Sequence, residues 1–287
     1  MRAFLAVADS GSFSAAARQL NLTQPAVSKR VQSLEQQLGT RVFDRAGKQI
    51  FLTDAGELLL PRARQILQDI SDTQTLLQNL DGRIEGRLRL ATSHHVGLHR
   101  LSGALRRYAQ QYPHVHLDLS FVDSEVAHEM VASAEADLAV VTLNPAGHPA
   151  LAYQRIWTDP LSFVATAEHE LYQCPDIPLR ELTNRQAILP GLSTFTGRII
   201  RQRFAEENLD IGLVLSTNYL ETIGMMVSIG LGWSVLPQTQ IQPPIKRLDV
   251  ATAPMARHLG AVTHPGRTLP NSAQAFLEVL AQFADAP

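Results

Sequence analysis

Between Ser12 and Arg45 the chain reads SFSAAARQLNLTQPAVSKRVQSLEQQLGTRVFDR, and the residues there that can do chemistry are Gln24, Ser28, Lys29, Arg30 and Gln32. Amide and hydroxyl groups can read base edges, while Lys and Arg neutralise phosphates. Val27, Val31, Leu34 and Leu38 recur at helical spacing and claim the opposite face, so the polar set lies together on one side of a helix. Thr23 is its expected cap, Pro25 falls in the first turn where a missing N–H costs nothing, and Gly39 stops it. Any small helical domain also contains amphipathic helices with a polar face, so these residues alone leave that blander reading open.

A second chemical set is spread along the chain. Thr92-Ser93-His94, Thr142, Ser193-Thr194-Phe195-Thr196 and Thr217-Asn218 each close a predicted strand or open a predicted helix. In open α/β sheets, ligands lie beyond the carboxyl ends of strands and face helix N-termini. Hydroxyls, an amide and free helix N–H groups suit a small anion such as a carboxylate or a sulfur oxyanion. The same Ser and Thr residues would also serve as ordinary helix caps.

The elements that must position these groups follow from the apolar pattern. Met1 to Asp9 is expected to be a helix with Phe4, Leu5 and Ala8 inward, ended by Gly11. Ser12 caps a second helix carrying Ala15, Ala16, Ala17 and Leu20, and Asn21-Leu22 turns the chain into the third. Arg41 to Phe43 and Gln49 to Leu52 alternate as a two-stranded wing, with Arg45 and Lys48 at its tip as phosphate contacts. Thr53 then caps a long helix, kinked near Pro61. Leu59, Ala63, Ile66, Ile70, Thr73, Leu77 and Leu80 recur on it at alternating steps of four and three, the seam of a coiled coil that wants a partner helix. From Arg87 the pattern becomes βαβαβ, implying a parallel sheet flanked by helices, and a second similar unit follows Pro160. A strand from His258 to Thr263 returns to the first sheet, and Ser272 to Phe283 closes the chain as a helix.

The run AAARQLNLTQPAVSKRVQSLEQQLGTRVFDR, followed by LTDAGELLLPRARQIL, closely resembles the amino-terminal domain of LysR-type transcriptional regulators. The resemblance is strong to about Ile70 and rests on pattern afterwards. It implies an α/β fold class with a winged helix-turn-helix over 1–52, a linker helix for dimerisation over 53–80 and a hinge over 81–86. A periplasmic-binding-protein-like effector domain then spans 87–287, with lobe 1 at 87–161 and 262–287 and lobe 2 at 162–261. Thr23, Gln24, Pro25, Ser28, Lys29, Arg30, Arg45 and Lys48 are the expected DNA contacts. Ser93, His94, Thr142, Thr194 and Asn218, with their neighbours Ser193, Phe195 and Thr196, are the expected effector contacts. Leu59, Ala63, Ile66, Ile70 and Leu77 are the expected dimer seam. The implied partners are double-stranded promoter DNA, a small-molecule effector, a second copy in a homodimer or homotetramer, and RNA polymerase.

Charge agrees with that division. Up to Leu52 there are seven basic and three acidic residues, a balance of +4; the whole chain is −2, which leaves −6 for the remainder. The polyanion footprint therefore belongs to the amino-terminal part. With no secretory signal, lipidation signal or membrane-spanning apolar run, a cytoplasmic protein is expected. Cys174 is the single cysteine and reads as an inert thiol, since an intramolecular disulfide needs two. His95 and His99, four apart, could share a helix face as metal ligands do, but no cysteine or carboxylate stands at ligand spacing nearby. They are read with His94 as polar cleft or surface histidines, with no metal and no cofactor. No catalytic motif such as GxSxG, a Walker loop or GxGxxG stands out, which argues against an enzyme. A solute-binding protein would need the missing signal, and an architectural DNA binder without a ligand would leave the cleft loops unexplained.

Overall fold

A computed structural model of the protein describes residues 1–46, 49–80, 82–212 and 214–285, with the backbone alone at Arg45, Ala46, Gln49, Gln68, Ser71 and Gln78. Contacts divide the chain into two compact units, Met1–Leu80 and Asp81–Pro287.

In the first unit, α1 (Arg2–Ser10), α2 (Phe13–Gln19) and α3 (Gln24–Leu38) precede β1 (Phe43–Ala46), β2 (Gln49–Leu52) and α4 (Asp54–Asn79). The Ser12 hydroxyl accepts from Ala15 N and starts α2. Gly11 and Gly39 end α1 and α3 in the left-handed region, at φ 62° and 68°, where a Cβ would be strained. Thr23 stands at the N-cap of α3 but makes no side-chain cap bond, so Pro25 and backbone geometry carry that start. Phe4, Val7, Ala16, Val27, Val31 and Val42 fill the core, and the small Ala16 lets α2 lie close to its neighbours. Glu35 on α3 accepts from Val42 N at 2.9 Å, and the Thr53 hydroxyl accepts from Gly56 N while donating to Arg41 O. These bonds fix the antiparallel wing, in register Phe43↔Leu52 to Ala46↔Gln49, between α3 and α4. The wing-tip Lys48 lies outside the described residues.

The expected seam on α4 needs correcting at its start. Ala63 is fully buried in the core of its own unit and Leu59 packs against that core, so neither faces outward. The exposed apolar residues of the helix are Leu58 and, further along, Ile66, Ile70, Leu76, Leu77 and Leu80. The helix continues through Pro61 to Asn79.

The second unit begins with β3 (Gly86–Thr92), α5 (His94–Val96), a π-helical segment (Gly97–Leu101) and α6 (Ser102–Gln111). It continues with β4 (Val115–Phe121), α7 (Ser124–Ala132), β5 (Leu138–Thr142), β6 (Ala152–Thr166), β7 (Ile177–Pro178), β8 (Ala187–Leu189) and α8 (Phe195–Ala205). Then come β9 (Val214–Ser216), α9 (Leu220–Ser228), β10 (Ser234–Pro237), β11 (Ile245–Arg247), β12 (Val250–Ala251), β13 (Met255–Thr263) and α10 (Asn271–Ala281). Strands β4, β3 and β5 are parallel, as the alternation implied, and β13 and β6 extend their sheet antiparallel in the order β10-β6-β13-β5-β3-β4.

Two of the four apolar clusters of described residues along this sheet, one in each lobe, mark the crossing points. One gathers Leu88, Leu90, Tyr108, Trp157, Leu259 and Phe276, the other Leu161, Leu189, Phe204, Trp233 and Met255. The chain therefore crosses between lobes twice, in β6 between Trp157 and Leu161 and in β13 between Met255 and Leu259. The second crossing falls earlier than the expected boundary at 261/262, because Leu259 and Ala261 already point into the first core. Nor does the strand after Pro160 start afresh. β6 runs through it from Ala152; β10 pairs only from Leu161 onward, so no strand lies there on that side for a proline N–H to miss. The second lobe repeats the layout of the first: β8 is parallel to β9 and meets the start of β10 at the parallel bridge Ala187↔Trp233, and β10 runs antiparallel to β6 as β5 does to β13.

Candidate functional site

On α3 the sequence places a polar face opposite the buried Val27, Val31 and Leu34, and the structure leaves it open. Thr23, Gln24, Pro25, Lys29 and Arg30 are exposed and Ser28 is half-buried at the edge of the face. Near the start of a helix that fits a major groove, these groups can hydrogen-bond base edges and phosphates.

In the second unit, a narrow cavity of about 60 Å³ opens between the lobes. Seven of the eight expected residues line it: Ser93, His94, Thr142, Thr194, Phe195, Thr196 and Asn218. Ser193 does not, being exposed on the turn before α8. The side chains differ in what they have left to offer. The Thr194 hydroxyl accepts from Gly197 N at 3.1 Å and donates to Gly191 O at 2.7 Å, so it is spent as a helix cap. Gly197 must be glycine there, since a Cβ would sit 2.1 Å from Gly191 O. The Ser93 side chain makes no cap bond. The His94 ring packs against Phe121 and Tyr219 with centroids 5.6 and 5.0 Å apart.

The helix N-terminus expected to be free for an anion is already met by one. Phe195 N donates to Glu125 Oε1 at 2.5 Å, and Asn218 Nδ2 donates to Asp123 Oδ2 at 2.7 Å. Asp123 and Glu125 open α7 in the first lobe; Phe195 and Asn218 open α8 and α9 in the second. Two carboxylates thus reach across the cleft to the donor groups opposite. Neither was singled out from the sequence, where an acidic residue at a helix start reads as an ordinary favourable charge.

Arg257 was missed as well. It is buried on the cavity wall, with Nε 2.9 Å and Nη2 2.8 Å from Asp159 Oδ2 and Nη1 donating to Thr196. Burial lowers its basicity, and the facing Asp159 charge opposes that shift. Asp159, itself buried, also accepts from Arg100 at 3.2 Å. The signal was in the alternation: Arg257 shares a strand face with Met255 and Leu259, and Asp159 with Trp157 and Leu161, each a charge in the apolar phase of a crossing strand. The two residues are direct cross-strand partners.

At the cleft rim His95, His99 and Glu221 come together, with one ligand atom from each within 4.8 Å of the others. The carboxylate judged missing beside the histidines arrives from α9, far away in sequence. Burial and the nearby Arg257 charge hold His95 down at about 3, so its ring is neutral at pH 7. Burial works against the Glu221 charge, but hydrogen bonds and the two histidines hold its carboxyl below the usual range.

An exposed recognition helix beside a wing, followed in the chain by a two-lobed α/β unit with a polar cleft, defines a DNA binder that carries its own ligand-binding unit. Sequence comparison agrees at both ends. The "Bacterial regulatory helix-turn-helix protein, lysR family" profile matches residues 1–57, and the "LysR substrate binding domain" profile matches residues 81–285. The chain belongs to the LysR family, and it is a DNA-binding transcriptional regulator modulated by a small-molecule effector. It is similar to the HTH-type transcriptional activator CmpR of Synechocystis sp. (strain ATCC 27184 / PCC 6803 / Kazusa), 29% identical over 96% of this chain and 92% of that one. Among solved structures, a full-length OxyR variant from Pseudomonas aeruginosa matches with a TM-score of 0.69 at 21% identity, over 98% of this chain and 92% of that one. The Synechocystis PCC6803 CcmR regulatory domain in complex with 2-PG matches with a TM-score of 0.63 at 25% identity, over 70% of this chain and 98% of that one. Among the described residues no helix is long and apolar enough to cross a membrane.

Proposed function

We propose that the effector is a small oxyanion-bearing metabolite that takes the position now held by the Glu125 carboxylate at the start of α8. The observation that carries this reading is the 2.5 Å bond from Phe195 N to Glu125 Oε1, in which a carboxylate oxygen from one lobe fits the helix terminus of the other. Ser93, with no cap bond, and Thr142, Thr196 and Asn218 along the wall supply further polar contacts, and Arg257 adds positive charge. The CcmR neighbour, with 2-PG in its regulatory domain, supports a small ligand in this type of domain. By linkage, such a ligand acts on DNA only so far as it prefers one arrangement over another, typically by ~1 to 3 kcal/mol.

The winged unit over 1–52 would read the promoter through Gln24 and Ser28 on bases and Lys29, Arg30, Arg45 and Lys48 on phosphates. The linker helix would pair with a second copy through Ile66, Ile70 and Leu77, in a dimer or a tetramer of dimers. Their exposure supports this, because apolar side chains along one helix gain by leaving water. RNA polymerase is the natural further partner, as the name of the activator CmpR suggests, and the cytoplasm the natural compartment.

The test is promoter output titrated against candidate oxyanions for wild type, Ser93→Ala and Thr194→Val, with melting temperatures alongside. Ser93→Ala is expected to shift the response midpoint by the ~0.5 to 1.5 kcal/mol of one hydrogen bond. Thr194→Val, which removes a cap, is expected to lower the melting temperature as well. A Ser93→Ala curve identical to wild type, together with failure of every oxyanion to shift melting, would overturn the reading.

A further inference from the structure

We propose that His95 Nδ1, His99 Nε2 and Glu221 Oε1 form a three-ligand site for a divalent transition-metal ion of the zinc class, at the junction of the two lobes. The geometry comes first. His95 Nδ1 lies 3.5 Å and His99 Nε2 3.2 Å from the same Glu221 oxygen. Ligands about 2.0–2.1 Å from a tetrahedral ion stand about 3.3–3.4 Å from one another, so both separations match the edge of such a site. Two imidazoles and a carboxylate form a donor set that suits zinc, cobalt or nickel and not the all-oxygen preference of calcium or magnesium.

Hydrogen bonding gives an independent argument. His95 is 5% exposed, yet its Nδ1 is buried and has no hydrogen-bond partner, an expensive state for a ring nitrogen. Its other nitrogen, Nε2, lies 3.4 Å from Thr239 Oγ1. With Nε2 protonated and donating to that hydroxyl, Nδ1 keeps a lone pair for an ion, as in the outer-shell arrangement of metal-bound histidines. With Glu221 ionised, His99 Nε2 cannot satisfy both of its neighbours. This nitrogen faces Glu221 Oε1 and also stands 3.0 Å from Gln240 Nε2, which is itself 3.3 Å from that carboxylate oxygen. If Nε2 is protonated, two donors meet at Gln240; if it is bare, two lone pairs meet at Glu221. Turning the Gln240 amide over sets two acceptor oxygens 3.3 Å apart. A cation at the common point accepts both lone pairs and resolves the conflict.

The fold makes this convergence. The π-helical segment after α5 sets the stagger of His99 relative to His95, and irregular turns of this kind recur at functional sites. Glu221 lies in the first turn of α9 in the other lobe. Glu221 brings the negative charge that an ion would need, against the nearby positive charge of Arg257. A bound ion would join the lobes across the cleft and stabilise that arrangement by mass action.

The experiment is a cobalt(II) titration of the chelator-treated full chain, without effector or DNA, read in the visible spectrum. One equivalent with the strong bands of four-coordinate cobalt is expected for wild type. Thr239→Val should weaken binding by about 10- to 100-fold, as loss of an outer-shell partner does, and His99→Ala and Glu221→Gln by more. His99→Cys should keep the stoichiometry and add a thiolate-to-cobalt band, which identifies the position even if another variant fails to fold. Wild type and His99→Ala titrating alike, six-coordinate cobalt in wild type, or no thiolate band in His99→Cys would each overturn the site. Because no effector is present, any of these results leaves the oxyanion reading standing.

Discussion

The recognition face of α3 and the cleft between the lobes are both polar surfaces, built in opposite ways. The first is drawn from one short run, Thr23 to Arg30, whose side chains point outward because every third or fourth neighbour is buried. The second is assembled from Ser93, Asp123, Glu125, Phe195, Asn218 and Arg257, brought together by two strands that cross between lobes. The α3 groups are free for a partner. Those of the cleft are largely engaged with one another. A surface made to meet a rigid duplex can stay open, while one that must change with a ligand needs bonds the ligand can exchange.

The largest effect is expected at the crossing strands. Asp159→Ala leaves the guanidiniums of Arg257 and Arg100 without their shared carboxylate, and is expected to cost ~3–5 kcal/mol, because an unpaired buried charge is left behind. Chemical denaturation should show the effector unit melting early. The double variant Asp159→Leu/Arg257→Met should recover much of that loss, since a buried pair can be replaced by apolar groups at little net cost.

A smaller effect is expected at the cleft bonds themselves. Glu125→Gln removes the charge from the contact with Phe195 N, and a charge-assisted hydrogen bond is worth ~1.5–3 kcal/mol. The cleft should then bind an oxyanion up to about 10-fold more tightly, as measured by calorimetry, because the internal competitor is weakened.

On the first unit, Gln24→Ala and Ser28→Ala should each lose ~1–3 kcal/mol of base discrimination in binding assays on operator variants. Lys48→Ala should instead weaken binding to all sequences and reduce the salt slope by about 1. Ile70→Asp, with its charge in the exposed apolar stretch of α4, should lower the mass seen by light scattering and weaken binding to a two-half-site operator.

The mildest effect near neutrality concerns pH. Burial depresses His95, to about 3, and His128 as well. The folded state therefore holds fewer protons than the unfolded chain between the folded values and the ordinary histidine value of about 6.5. The stability these two residues contribute is present above that value and is lost as pH falls through it towards the folded values. Melting temperature followed downward from pH 7.5 should decline in wild type and less steeply in His128→Gln.

How much of each region was legible follows from the same contrast. Helix α3, its end at Gly39 and its outward face could be read because 3.6-residue periodicity is a local property. The parallel strands β3, β4 and β5 were readable for a similar reason, as apolar runs alternating with helices. Ala63 was misplaced because a seam repeating every seven residues looks the same whether it faces its own core or another chain. Thr194 was placed in the cleft correctly, but its role as a cap depends on Gly191 O, which no spacing reveals. The Asp123–Asn218 and Glu125–Phe195 bonds, and the meeting of Glu221 with His95 and His99, join residues far apart in sequence and exist only once the lobes are packed. Arg257 and Asp159 could have been found, since a charge at an apolar phase of a strand is unusual and two opposite ones invite pairing.

Competition between the cleft's own carboxylate and the effector should alter the response to ligand and leave the recognition face of α3 unchanged. The most direct measurement is operator affinity of the full chain, titrated with an oxyanion that raises wild-type melting temperature, for wild type and Glu125→Gln side by side. Both proteins are expected to show the same base discrimination, with the response of Glu125→Gln shifted to lower ligand concentration. An unshifted response, or a change in base discrimination without ligand, would contradict that expectation.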